Sequence, residues 1–268
     1  MLSSHESQHS PQLQQLLQHP QLWRARQQAS RPQRGQPTGY AALDATLAAG
    51  GWPQNGLMEL LAAHPGSGEL RLLAPLLARL SQEQRWLLWV DPPHLPYAPT
   101  LAAWGIDISR VLLVHTQARH DALWTLEQAL QSGTCSMALG WLDESRLDAP
   151  RLRRLQIAAR QGNTLAALFR PTEAARQPSM AGLRLALQAD ASGNPDQLQL
   201  DVLKQPGGWP GRQLSLRLTP ALQALPQAEL QARLQGWQPK KASAPSPSRR
   251  PPLAGGERLP RPAYAGLA

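Results

Sequence analysis

Between residues 57 and 169, short apolar runs alternate with stretches of helical spacing, and this alternation constrains the fold more than any other feature. The runs are "LMELLAA" (57–63), "RWLLWV" (85–90), "VLLVHT" (111–116), "SMALGWL" (136–142) and "TLAALF" (164–169). They are short and apolar at successive positions, as strands buried on both faces must be. Helical patterns separate them at 69–80, 99–105, 120–133 and 149–162. Strand–helix alternation of this kind implies a mostly parallel sheet with helices on both faces. After residue 183 the period changes to two, in "LRLALQA" (183–189), "QLQLDVL" (197–203) and "QLSLRL" (213–218). Gly/Pro-rich turns, "ASGNPD" and "QPGGWPGR", lie between these segments. They read as an antiparallel extension at the sheet edge. The expected fold class is α/β.

The flanks differ from this middle. Residues 1–36 are rich in Gln, His and Arg and hold one short amphipathic piece (11–29), interrupted by Pro20. Residues 238–268 are rich in Pro, Ser, Arg and Gly, cannot bury a core, and are expected to be disordered. The expected organisation is a basic arm (1–36), a folded domain (37–237) and a basic tail (238–268). Net charge is +9, with +3 in the arm, +5 in the tail and +1 in the domain. A nucleic-acid-binding domain usually carries its own basic face, so the near-neutral middle leaves any DNA contact to the tails. No run approaches the roughly 18 apolar residues of a membrane span. The opening "MLSSHESQHSPQ" lacks the basic-then-apolar pattern of a signal peptide, so a cytoplasmic location is expected. The single cysteine, Cys135, lies in an apolar stretch and reads as a small core residue.

The loop "AAHPGSGEL" (62–70) joins the first strand to the first long helix, where a nucleotide phosphate would sit. A P-loop reads G-x-x-x-x-G-K-[ST], its lysine neutralising phosphate and its hydroxyl holding Mg²⁺. Aligned on Gly68, the first glycine is Ala63, the lysine is Glu69 and the hydroxyl residue is Leu70. A carboxylate repels a triphosphate, and leucine offers a metal no oxygen. Gly66 and Gly68 are left to shape the turn, and Glu69 to open the helix, where its charge suits the dipole.

The segment "PTGYAALDATLAAGGWPQNGLMEL" (37–60) resembles the stretch that precedes the P-loop of RecA-type recombinases. The resemblance rests on Thr38-Gly39, Leu43-Asp44, Gly50-Gly51-Trp52-Pro53 and Gly56, and it continues through "LLWVDPPHLPYAPTLAAWGIDISRVLLVHT" (87–116). It implies a RecA-like sheet over 37–170 and exposes further losses. Pro93 stands where the family has its water-activating glutamate, and Trp141-Leu142 where it has a metal-binding aspartate, with Asp143 displaced into the loop. No catalysis, cofactor or metal is expected.

Two families combine such a core with lost chemistry. The patterns "LDATLAAGGWP", "GSGELRLLAPLLARL", "PPHLPYAPTLAAWGID", "ALWTLEQALQSGTC" and "RLRRLQIAARQGN" resemble ImuA, an accessory factor of SOS-induced translesion synthesis. The patterns "RWLLWVDPP", "EQALQSGTCSMALGWL" and "ARQGNTLAALFRP" resemble SulA, the SOS division inhibitor that binds the tubulin-like protein FtsZ. The lead-in and the period-two extension favour ImuA. That resemblance implies a non-catalytic adaptor whose partners are an ImuB-type polymerase homologue, an error-prone C-family polymerase and RecA. The alternative is a SulA-like inhibitor of FtsZ.

Without catalysis, function must lie on surfaces. The helix 149–162 carries Arg151, Arg153 and Arg154, either a solvated basic face or a contact for an acidic partner. The Pro-locked loop "PPHLPYAP" (92–99) presents Tyr97, and a stiff loop loses little entropy on binding. Of the nine tryptophans, those at 86, 89, 104, 124 and 141 fall in strands or helices and are expected in the core. Trp23, Trp52, Trp209 and Trp237 fall in turns or flanks and are the better anchors. The lead-in 11–56 is the expected docking element.

Overall fold

The computed structural model describes residues 34–117 and 119–218, the side chains of 119 and 120 excepted. A short helix α1 (Ala41–Thr46) precedes strand β1 (Gly56–Ala62), helix α2 (Glu69–Ser81) and strand β2 (Trp86–Val90). Helix α3 (Ala98–Ala103), strand β3 (Val111–Val114), helix α4 (Arg119–Ser132), strand β4 (Cys135–Gly140), helix α5 (Ala149–Gln161) and strand β5 (Leu165–Pro171) follow. Strands β6 (Leu183–Ala189), β7 (Gln197–Lys204) and β8 (Arg212–Arg217) complete one sheet of eight strands, in the order β3-β2-β4-β5-β1-β6-β7-β8. The fold is mixed α/β with a mostly parallel sheet.

Side-chain alternation divides the core between two faces of that sheet. Met58, Leu60, Leu87, Trp89, Met137 and Leu139 join one cluster with Leu72, Leu76 and Leu101 of α2 and α3. Leu57, Leu88, Val90, Ala138 and Leu168 join the other with Leu126, Leu130, Leu152 and Leu155 of α4 and α5. Burial on both sides explains why β1, β2, β4 and β5 read as unbroken apolar runs. In β7, Leu198, Leu200 and Val202 face the first cluster, while the intervening residues lack such cover. One-sided burial is the origin of the period of two.

One detail departs from expectation. Strand β6 pairs parallel with β1, and only β7 and β8 are antiparallel. The link from β5 to β6 passes β1 through a short 3-10 turn (Thr172–Arg176) instead of a crossover helix, which the switch in hydrophobic period does not reveal.

Arg85 ties the opposite end of the sheet together. Its guanidinium donates to the carbonyls of Gly133 (3.1 Å), Gly162 (3.1 Å) and Asn163 (3.0 Å) and to Thr164 Oγ1 (3.0 Å). Gly133 and Gly162 directly follow α4 and α5, so a cation sits where two helix C-termini leave carbonyls unsatisfied.

Candidate functional site

The C-terminal ends of β1, β2, β4 and β5 converge on a cavity of about 510 Å³. Ala62, Ala63, His64, Pro65 and Glu69 form one wall, Asp91 and Pro93 another, and Trp141, Leu142, Asp143, Phe169 and Arg170 the remainder. In open α/β sheets this is where ligands bind. The degenerate loop and the lost positions read from the sequence therefore do meet in space: Ala63, Glu69 and Pro93 all line this cavity.

The loop itself holds a carboxylate where a phosphate would lie. Gly66 (φ +87°) and Gly68 (φ +102°) take left-handed conformations that glycine adopts without strain, and Gly68 caps α2. Glu69 is 4% exposed and turns back so that the Gly66 N–H donates to its Oε1 at 2.6 Å. The anion site of the loop is thus occupied by the chain's own side chain. Glu69 Oε2 is buried and has no hydrogen-bond partner among the described residues. Leu70 packs against the main core.

The opposite walls are rigid. Asp91 (φ +49°) accepts from the Thr116 N–H (2.7 Å) and Thr116 Oγ1 (2.6 Å), joining the ends of β2 and β3. Asp143 accepts from the Ser145 N–H and caps a 3-10 turn. Trp141 and Phe169 stack with centroids 4.3 Å apart and planes 16° from parallel. Arg170 is a paired residue: it donates to Glu59 at 2.8 Å, to both oxygens of Glu144, and to Gln177. Burial alone would lower its pKa, but the Glu144 and Glu59 carboxylates outweigh burial and hold it above the ordinary guanidinium value. Glu59 also pairs with Arg184 (2.6 Å) and accepts from Ser179. Sequence reading left this buried cluster unnoticed. Its signal was an acid at the centre of an otherwise apolar strand, "LMELL".

The proposed anchors separate. Tyr97 (71% exposed) and Trp209 (83%) project from the surface, as expected. Trp52 does not: it is fully buried in the main cluster. Its backbone exchanges two 2.7 Å hydrogen bonds with Gln36, which draws the turn onto the domain and turns the ring inward. Trp23 and Trp237 lie outside the described residues. Arg151, Arg153 and Arg154 stand on the outer side of α5, but Arg151 pairs with Asp148 (2.8 Å) and Arg154 with Glu127 (2.7 Å), which offsets much of the basic face. The described part of the lead-in packs on its own domain. Leu43 is buried, the Ala48 N–H donates to Gln205 Oε1, and Arg212 donates to the Thr46 carbonyl.

Two tryptophans assigned to the core are outside it. Trp86 is 40% exposed and Trp124 63%. In α4 the buried residues are Ala122, Leu126 and Leu130, at intervals of four, and Trp124 falls on the opposite side. Counting that period would have found it. Cys135 is buried as expected, and burial pushes its thiol above the ordinary value. No described helix is long and apolar enough to cross a membrane.

Comparisons with known proteins correct the functional expectation. The family model described as "Cell division inhibitor SulA" matches residues 57–166. Cell division inhibitor SulA of Edwardsiella piscicida is 37% identical over 102 residues, which is 38% of this chain and 60% of that protein. SulA of Serratia proteamaculans (strain 568) is 32% identical over 136 residues, 50% of this chain and 79% of that protein. The crystal structure of SulA from Pseudomonas aeruginosa is 29% identical and covers 42% of this chain and 97% of that one, with a TM-score of 0.36. The chain spans about three fifths of the length of some of these relatives, 60% and 63% for those from Edwardsiella and Photorhabdus. The translesion-synthesis adaptor, with its ImuB-type, C-family polymerase and RecA partners, is therefore withdrawn, because the matched relatives are named as division inhibitors. The expectation failed because the lead-in and the period-two strands, which lie outside 57–166, were given more weight than the matched middle. The chain belongs to the SulA cell division inhibitor family.

Proposed function

We propose that this protein is a division inhibitor that binds the tubulin-like protein FtsZ and blocks its GTP-driven assembly, without turning over nucleotide itself. The observation that carries the reading is the 32% identity across 79% of a relative named "Cell division inhibitor SulA". The loop supports the non-enzymatic part, since Glu69 already holds the Gly66 N–H that a phosphate would need. Synthesis under SOS control and a cytoplasmic location belong to the same reading. We read the fold more finely as RecA-like, supported by the strand order and by the resemblance of residues 37–170. The lead-in and the last strands, which lie outside 57–166, are read as additions to this scaffold.

The contact surface of this reading lies within 57–166, the span common to the family. Exposed apolar side chains there include Leu95 (77%) and Tyr97 (71%) in the loop after β2, and Trp124 on α4 after β3. β2 and β3 are neighbours in the sheet, so both features leave from the same rim. Trp209, though more exposed, lies outside the matched span.

Sedimentation of FtsZ assembled with GTP tests the reading. Near-equimolar protein is expected to abolish the pelleted polymer. Tyr97→Ala and Leu95→Ala are expected to raise the dose required at least about tenfold, the loss of interface residues worth about 2 kcal/mol each. Undiminished assembly in the presence of excess protein would sink the proposal.

A further inference from the structure

The direction of the last strand decides where the chain leaves the described domain. β6 runs parallel to β1, β7 antiparallel to β6 and β8 antiparallel to β7, so β8 runs parallel to β1. The chain therefore exits at the rim where β1, β2, β4 and β5 end and the cavity opens. Arg71, in the first turn of α2, fixes the exit point. Its guanidinium donates to the Leu218 carbonyl (2.8 Å), the Pro195 carbonyl (2.8 Å) and Asp196 Oδ1 (2.5 Å). Leu218 is buried, and a Cβ on Gly68 would lie 3.0 Å from its Cδ1. Gly68 directly precedes Glu69, which lines the cavity. The other flank leaves from the opposite rim. There Gln36 and Pro37 line a separate polar hollow with Arg79, near the end of α2, and with Arg85, Ser136 and Asn163, beside the starts of β2, β4 and β5.

The cavity and the segment that follows Leu218 match in polarity. Ala62, Ala63, Pro93, Leu142 and the Trp141–Phe169 stack give the cavity largely apolar walls. Asp91, Asp143 and Arg170 share those walls but are already partnered, by Thr116, by Ser145, and by Glu59 and Glu144. What an occupant gains is the covering of exposed carbon. Residues 220–237, "PALQALPQAELQARLQGW", hold one glutamate and one arginine and so carry no net charge. Leu230, Leu234 and Trp237 recur at the spacing of one helix face, and Pro226 suits the first turn of such a helix. The strongly basic residues begin only at Lys240. Reach is sufficient. Three strand spacings separate β8 from β1, about 14 Å, and residues 219–225 extend to about 23 Å. The space, about 510 Å³, lies within the range of pockets that take an apolar guest.

We propose that residues 220–237 of this same chain occupy the cavity, with Leu230, Leu234 and Trp237 seated against the Trp141–Phe169 stack. In open α/β sheets the strand ends at this rim receive a ligand; here the chain supplies its own stopper. The inference goes beyond the division-inhibitor reading and does not depend on it.

Disulfide trapping in the full-length protein tests the proposal, with the buried Cys135 left in place. Ala63→Cys in the cavity wall is paired with Leu234→Cys or, one turn earlier, with Leu230→Cys. The control pairs each of these with Gln54→Cys at the opposite rim. On mild oxidation at least one cavity pair is expected to close within a single chain at least about tenfold faster than its control. Closure no faster than the control would overturn the proposal, and a disulfide formed between two chains would overturn it by assigning the cavity to a second copy. Hydrogen exchange gives a second measurement that leaves the described domain unaltered. In a full-length variant carrying Leu230→Ser and Leu234→Ser, the amides of 62–69 are expected to exchange at least about tenfold faster, with residues 34–36 unchanged. Exchange at 62–69 equal to that of the unsubstituted protein would also overturn it, leaving the cavity to a partner protein.

Discussion

Glu59 and Glu69 lie ten residues apart, one within β1 and the other at the start of α2, both buried, and they meet opposite fates. Glu59 sits in the middle of β1 with Arg170 on one side and Arg184 on the other, and Ser179 completes its shell. Glu69 has one backbone N–H and an oxygen with no partner among the described residues. The first is a closed network that depends on three strands being in place. The second is an open valence at the edge of a cavity. Burial alone therefore does not separate a satisfied carboxylate from an unsatisfied one. Whether the surrounding donors satisfy it does.

The comparison is broken most severely by removing Glu59. Glu59→Ala leaves Arg170 and Arg184 in the interior without their shared counter-ion and is expected to cost about 3–5 kcal/mol in urea unfolding. Adding Arg184→Met should recover part of that loss, whereas a merely additive double variant would show that the three groups do not act as a unit. Gly68→Ala is expected to cost about 1–2 kcal/mol, since φ is +102° and Leu218 crowds the new methyl group. Glu69→Gln should change stability by less than about 1 kcal/mol, because it removes a favourable charge at a helix start but also an unsatisfied oxygen. A loss as large as that for Glu59→Ala would erase the distinction between the two acids.

The smallest effect concerns pH. Burial raises the Cys135 thiol and the Tyr40 hydroxyl above their ordinary values. Both groups stay neutral in the folded chain at a pH where the unfolded chain ionises. Their contribution is complete below the ordinary thiol range and is lost as pH rises through the raised values. The urea midpoint is expected to fall gently as pH rises through the thiol range, first from Cys135 and then, above about pH 10, from Tyr40. In the native state Cys135 should react with a thiol reagent only as fast as the protein opens. Rapid stoichiometric labelling would contradict the burial of β4.

Much of the fold was legible from hydropathy, for a simple reason. Strands covered on both faces must be apolar throughout, strands covered on one face alternate, and helices repeat every three to four residues. The twelve core elements from β1 to β8 and from α2 to α5 follow those periods closely. Tryptophans were harder. Trp52 sits in a Gly/Pro-rich turn that folds back onto the core through Gln36, a contact sixteen residues away in the chain. Trp124 sits in a helix, yet on its exposed side. In both cases local structure was a poor proxy for burial, because burial depends on which face of the element meets the sheet.

By itself, the sequence determined the α/β alternation, the place of the loop at the end of β1, and the absence from it of a lysine and a hydroxyl. These are local properties of residue type and spacing. Only the tertiary structure decided that Glu69 would turn back onto the Gly66 N–H, that Arg170 would be consumed by Glu59 and Glu144, and that Trp141 and Phe169 would stack across the same cavity. The last two join segments distant in sequence, and the first depends on how the loop turns at the end of β1. A carboxylate's partners are set by strand order and register, which hydrophobic period does not encode.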